Sequence, residues 1–205
     1  ATQLCERFGV LTWRSHRGSG SDNHPAYFQR PHNSVADPYL NSMMVMECRA
    51  LATIARATGG DGRPWDARAT SLAEAIERWL WDPIDGAYYA IDVGRGDPGP
   101  VRTPADWAVP LKVRSWSMIM PRVAGVAGPE RARRVIEEHM LRSDQRRSPF
   151  GLRSLARCEP AYRLFADYNP SNWCGPVWVI ATYLGQIALG NYGYAEQATQ
   201  LAIDH

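Results

Sequence analysis

The sequence predicts an all-α fold built of helical hairpins. It reads as an (α/α)6 toroid of which this chain covers about half. Three observations carry that expectation. Apolar residues recur at helical spacing in paired segments, and long loops rich in Gly, Pro and Ser lie ahead of the more apolar helices. One helix of a pair is also apolar nearly all round, while its partner carries charge on one face. The first pair opens at Ser34-Val35-Ala36-Asp37, a capping box of the Ser-x-x-Asp kind. It runs through Tyr39, Leu40, Met43, Met44, Leu51 and Ile54 and stops at Gly59-Gly60. Pro64-Trp65-Asp66 starts its partner, with Leu72, Ile76 and Leu80 on one face. Asp82-Pro83-Ile84-Asp85-Gly86 is a turn, leading into a short extended stretch from Tyr88 to Val93. The second pair spans Trp116 to about Val126 and then Gly128-Pro129 to Met140. Residues 142–171 show little periodicity and read as one long loop, a kind of segment that is usually functional or disordered. The third pair runs from Pro176 to Leu189 and from Tyr194 to about Ile203. An ordinary helical bundle also buries helices on two sides, and composition does not separate it from a ring.

Composition bounds the function. The 205 residues are 45% hydrophobic and 21% charged, enough for one domain with a real core. A net charge of +2, from 23 basic and 21 acidic side chains, drives the chain toward neither nucleic acid nor membrane. No apolar run reaches membrane-spanning length, and no signal peptide is visible. Cys5, Cys48, Cys158 and Cys174 have no zinc-ligand spacing, so no metal site is expected. They read as free thiols in a reducing, cytoplasmic compartment. Nothing in the sequence calls for a cofactor.

Two segments carry chemistry. Ser19-Gly20-Ser21-Asp22-Asn23-His24-Pro25 holds a carboxylate between small residues and an Asn-His pair, where nothing demands burial. Asn172-Trp173-Cys174-Gly175-Pro176-Val177-Trp178 puts two indoles around a Gly-Pro turn ahead of a helix. Alone, the first reads as an Asx turn and the second as core. Together they offer a carboxyl group beside flat apolar faces, which is how proteins handle sugars.

In order along the chain, these segments resemble the six-hairpin glycosidases. The similarity is greatest to glycoside hydrolase family 63 and its bacterial α-glucosidase-like members, with trehalases more distant. Ser19-Gly20-Ser21-Asp22 is similar to the family's Glu-Ser-Gly-x-Asp loop. Val35-Ala36-Asp37-Pro38-Tyr39-Leu40 and Trp81-Asp82-Pro83-Ile84-Asp85-Gly86-Ala87-Tyr88-Tyr89 follow. Asn172 to Trp178 matches Tyr-Trp-Arg-Gly-Pro-Val-Trp, and Tyr192-Gly193-Tyr194 closes the series.

The resemblance implies inverting hydrolysis of an α-glycosidic, in particular α-glucosidic, bond of an oligosaccharide or small glycoside, with Asp22 as general acid. Such enzymes set two carboxyl groups about 6.5–9.5 Å apart, with water between one of them and the sugar. Trp173 and Trp178, with Trp107 or Trp116, become sugar-stacking faces, and Arg17, Asn23 and His24 flank the acid as substrate contacts. Gly18 and Cys174 stand where the family has Glu and Arg, which removes two polar groups from the pocket. The family's base Glu falls beyond Asp204-His205 and its earlier hairpins before Ala1. Residues 1–205 are therefore expected to be part of a catalytic barrel domain, partnered by the rest of its own barrel. Within the chain, Glu159, Asp167 and Asp37 are the other carboxylates considered for the base. Glu159 sits in the long loop ahead of Trp173, and Asp37 is better explained as a helix N-terminal residue. The alternative is a non-catalytic carbohydrate-binding or structural fragment of such a barrel. A terpene-cyclase-like toroid would need an Asp-rich metal motif, which is absent.

Overall fold

A computed structural model describes residues 4–94, 108–166 and 171–204. Helices in hairpins dominate it, and a five-stranded antiparallel sheet that the sequence reading did not anticipate braces one side. Strand β1 (Leu4–Arg7) turns into β2 (Val10–Trp13) through Phe8 and Gly9, with Arg7 opposite Val10. Both turn residues have positive φ, 56° and 78°, the combination that a two-residue type I′ hairpin requires. Glycine takes this conformation freely, whereas Phe8 is held there by its ring on Trp79, with centroids 5.0 Å apart. The sheet continues through β3 (Val35–Ala36), β6 (Ala90–Asp92) and β7 (Val109–Leu111) in the order β1-β2-β3-β6-β7.

β3 runs straight into α1 (Pro38–Ala57). Asp37, not Ser34, is its N-cap: Oδ1 accepts from the Leu40 amide at 2.9 Å, and Pro38 occupies the first helical position. Ser34 Oγ instead donates to the Pro31 carbonyl, so the expected capping box does not form. One turn inside α1, the fully buried Asn41 amide accepts from Leu11 N and donates to the carbonyls of Leu11 and Asp37. That side chain bolts the helix to β2.

Helix α2 (Arg63–Trp79) returns antiparallel to α1 and buries Ala69, Leu72, Ala75 and Ile76. Leu72 and Ile76 are at 0% exposure, each contributing about 2 kcal/mol of apolar burial. The turn at 82–86 is a hairpin of β4 (Trp81–Asp82) and β5 (Ala87–Tyr88), and the extended stretch after it is β6.

The second pair is broken up. A 3₁₀ turn (Trp116–Ile119) feeds the short α3 (Met120–Val123). α4 (Pro129–Arg134) then widens into a π turn (Val135–Met140). The described part of the 142–171 loop, residues 142–166 and 171, is not structureless. β8 (Arg147–Ser148) and β9 (Gly151–Leu152) form a hairpin, and bridges join Ser115 to Leu155 and Arg153 to Val177.

The last pair is α5 (Val179–Asn191) and α6 (Ala195–Ile203). α5 starts three residues later than Pro176 because the Gly-Pro segment is extended. In α5, Gly185 lets the chain pass close to β9, since a Cβ there would collide with Leu152 Cδ1 and lie 3.0 Å from Met140 Cε. α1 and α5 both pack on α3, so the apolar helices share one core. Yet α5 leaves Val179, Ile180 and Tyr183 exposed, and α1 leaves Leu51 and Ile54 exposed. No helix among the described residues is long and apolar enough to cross a membrane.

Candidate active site

The two chemistry-bearing segments, 150 residues apart, are fastened to each other by one side chain. Asn23 Oδ1 accepts from the Trp173 amide at 2.6 Å, and its Nδ2 donates to Asn172 Oδ1 at 3.1 Å. The Cys174 thiol adds a bond to the Asn23 carbonyl at 3.3 Å. Asn172 passes the connection on, accepting from Cys174 N and donating to the Arg163 carbonyl. Asn23 is thus a buried clamp, 2% exposed, rather than an open sugar contact. Gly175, at φ +156°, lies where a Cβ would come within 2.8 Å of the Arg163 carbonyl and 2.9 Å of Tyr162 Cε2, so only glycine fits.

Asp22, next to this clamp, is half-buried, and its carboxyl makes no hydrogen bond or ion pair among the described residues. Behind it Ser21 and His24 are buried, at 1% exposure each. Arg17 is exposed at the front of the loop. His24 does not face solvent. Its ring stacks on Tyr27 at 4.2 Å, and Nδ1 accepts from the Ala26 amide, which leaves the proton on Nε2. Its Nε2 is buried with no hydrogen-bond partner among the described residues.

The indoles form a row. Trp178 lies parallel on Trp173, 4.4 Å apart at 2°, and Trp116 leans on Trp173 at 5.4 Å. Tyr39 closes the far end against Trp116 at 4.7 Å. Trp173 is 6% exposed and Trp116 2%, so both faces of the row's middle are taken. Trp178 is half-buried and caps the row at the helix entrance rather than sitting a turn inside α5. Its Nε1 donates to the Asn172 carbonyl at 2.8 Å, which fixes the ring plane. An open cleft of about 370 Å³ runs past it, lined by Leu164, Phe165, Asn172, Pro176, Val177 and Trp178. Of the three indoles only Trp178 lines this cleft. Trp107 and Asp167 lie outside the described residues.

Glu159 is held by Arg114. Its carboxylate accepts from Arg114 N at 3.1 Å and pairs with Arg114 Nη1 at 3.4 Å, which is how a structural carboxylate is held. Among the described residues no group of three or more His, Cys, Asp or Glu side chains is arranged to hold a metal ion.

Two buried groups beneath the acid loop titrate in opposite senses. Burial pushes the Asp37 carboxyl up to about 7 and the His24 imidazole down to about 3. From pH 3.8 to 7 the native chain keeps a proton on Asp37 that the unfolded chain has released, so this group loses stability as pH rises. From pH 3 to 6.5 the unfolded chain protonates His24 and the native chain does not, so this group gains stability as pH rises. Across the overlap the slopes cancel. Asp37→Asn should uncover the His24 slope, about 1.4 kcal/mol per pH unit of stability gained on raising the pH. His24→Gln should uncover the opposite slope. Denaturant midpoints measured from pH 4 to 6.5 test this, and slopes unchanged from the parent protein in both variants would refute it.

Comparison with known proteins places this geometry. The chain is 27% identical over 167 residues to a mannosylglycerate hydrolase from Rubrobacter radiotolerans, covering 82% of this chain and 34% of that protein. A family 63 mannosylglycerate hydrolase from Thermus thermophilus, solved with glucose, superposes at TM-score 0.76. Its identity is 19%, over 96% of this chain and 53% of that one. A neutral trehalase from Saccharomyces cerevisiae gives TM-score 0.66 at 18% identity, over 89% and 32% of the two chains. The chain thus spans between a third and about half of each of these three relatives, and its hairpins correspond to part of an (α/α)6 toroid. Residues 7–204 match the family described as the mannosylglycerate hydrolase MGH1-like glycoside hydrolase domain, and the chain belongs to that family of six-hairpin, family 63 glycosidases.

Proposed function

We propose that this chain forms the acid-bearing part of a glycosidase active centre that cleaves a short glycoside with inversion, Asp22 serving as general acid. One observation carries the reading. A half-buried carboxyl without a partner stands on a loop that Asn23 clamps to the aromatic segment beside an open cleft. A group that must give up and regain a proton is best left unpaired in the protein, because its partner is the glycosidic oxygen. Glu159 is already engaged by Arg114, so the water-activating carboxylate belongs to the remainder of the barrel. The apolar faces left open on α1 and α5 fit that remainder as the covering partner. Trp178 supplies the stacking face for the sugar, and Arg17, exposed on the acid loop, is the cation for its hydroxyls.

For the bond itself, the family resemblance favours an α-glucoside, whereas relatives' names favour mannosylglycerate. Both are short glycosides, and we take the α-glucosidic bond as the narrower reading. Supplying an α-glucoside and mannosylglycerate side by side to the complete enzyme, with proton NMR of the first-formed anomer, decides. Inverted product from either supports the assignment. Retained configuration, or no hydrolysis of any short glycoside, overturns it in favour of a sugar-binding or structural role. In the same assay Trp178→Ala should raise KM about tenfold, a loss of about 1.4 kcal/mol, with kcat little changed. Loss of kcat at unchanged KM would remove Trp178 from the stacking role.

A further inference from the structure

Two arginines lie wholly inside the protein without a carboxylate. Arg122, in α3, and Arg146, just ahead of β8, are both 0% exposed. Arg122 Nη2 donates to the Met118 carbonyl at 2.6 Å, while Arg146 Nη1 reaches the Trp116 carbonyl at 3.5 Å and its Nε the Arg153 carbonyl at 3.0 Å. Met118 and Trp116 belong to the same four-residue 3₁₀ turn, so the two guanidiniums sit against one short piece of backbone and repel each other. Three of their nitrogens, Arg122 Nε and Nη1 and Arg146 Nη2, have no hydrogen-bond partner, and neither side chain forms an ion pair among the described residues. Burial pushes Arg122 down to about 10 and Arg146 to about 9, and both remain charged at neutral pH.

Unpaired buried charge is among the costliest arrangements a protein interior can hold. Neutral carbonyls satisfy some donors but cancel no charge. Neither guanidinium touches solvent, and no carboxylate among the described residues pairs with either. A monatomic anion can be enclosed during folding and accept several N–H bonds at once.

We infer that Arg122 and Arg146 enclose a small inorganic anion of the halide class, chloride under ordinary conditions, against the Trp116–Ile119 turn. The bound anion fixes the turn that carries Trp116 into the aromatic row. This site is separate from the glycosidase centre and does not depend on its assignment.

Thermal unfolding of the full-length protein at constant ionic strength, with sodium gluconate exchanged for sodium bromide, is the test. Gluconate is too large to be enclosed. Saturable binding to the native state should raise Tm by about 3 °C or more in bromide. Crystals grown in bromide should show an anomalous peak within hydrogen-bonding distance of Arg122 and Arg146. Arg146→Met should abolish the halide dependence while unfolding no earlier than the parent in gluconate, because an apolar chain replaces an uncompensated charge. If that variant does not fold, Arg146→Gln and the parent crystal still decide. The same Tm in both salts together with no anomalous peak at the arginines, water standing there instead, overturns the proposal. A bromide peak found only elsewhere overturns it as well.

Discussion

Asp22→Asn lowers turnover of the complete enzyme on a glycoside with a poor leaving group by at least ~10²-fold, and barely touches hydrolysis of a glycosyl fluoride. The amide keeps the size and polarity of the carboxyl group but has no proton to deliver. A leaving group that departs as a stable anion needs none, so the defect should shrink as leaving-group basicity falls. Affinity should hold, because the amide can still donate a hydrogen bond to the glycosidic oxygen. Steady-state kinetics on the two substrate types separate chemistry from shape. Equal losses on both would mean that Asp22 shapes the loop and the acid lies elsewhere. The Asp22 carboxyl has no partner among the described residues, so its replacement leaves no buried donor stranded there and stability should stay within about 0.5 kcal/mol.

Asn23→Ala does the reverse: it damages the fold first and catalysis only in consequence. It leaves the buried Trp173 amide without its acceptor and removes a donor from Asn172 Oδ1. An unsatisfied buried backbone donor and a lost side-chain bond together cost about 3 kcal/mol. For a chain of this size that lowers Tm by about 6–12 °C. Asn23→Asp separates the two bonds. It keeps the acceptor facing Trp173 but sets a second acceptor against Asn172 Oδ1, so it should destabilise more at high pH than at low pH, where a protonated oxygen can donate. Calorimetry at two pH values reads both effects. Wild-type Tm in Asn23→Ala would mean that the acid loop and the Trp173 segment are held together by something other than this side chain.

That the segments around Asp22 and Trp173 belong together was legible in the sequence, but which of their side chains stay open was not. Trp173 and Trp178 are equivalent as letters, two indoles flanking Gly-Pro. Packing distinguishes them, because Trp178 and Trp116 cover Trp173 and leave Trp178 beside the cleft. His24 and Asn23 read as substrate contacts because they neighbour a candidate acid. In the fold, a chain turning inward at Ser21 buries both, one as a ring stacked on Tyr27 and the other as the clamp. Glu159 reads as an available carboxylate in the sequence, and only folding brings Arg114, 45 residues away, beside it.

Local chemistry was sufficient for the first and last helical hairpins, whereas the second pair is broken into short turns. The period of apolar side chains, Pro38 at the first position of α1 and the glycines after its end are properties of neighbouring residues, readable without a partner. The sheet was not readable that way. β3 and β7 are two or three residues long, too short to show alternation, and the β1–β2 turn is Phe-Gly rather than a strong hairpin pair such as Asn-Gly. Those strands exist because distant segments pair, Val35 with Asp92 and Ala90 with Leu111. The 142–166 segment follows the same logic, its order coming from bridges to Ser115 and Val177. Sequence periodicity therefore determined the first and last hairpins and the order of the family motifs. Tertiary structure alone decided the sheet, the clamp and which indole borders the cleft, because each depends on a partner that only folding brings near.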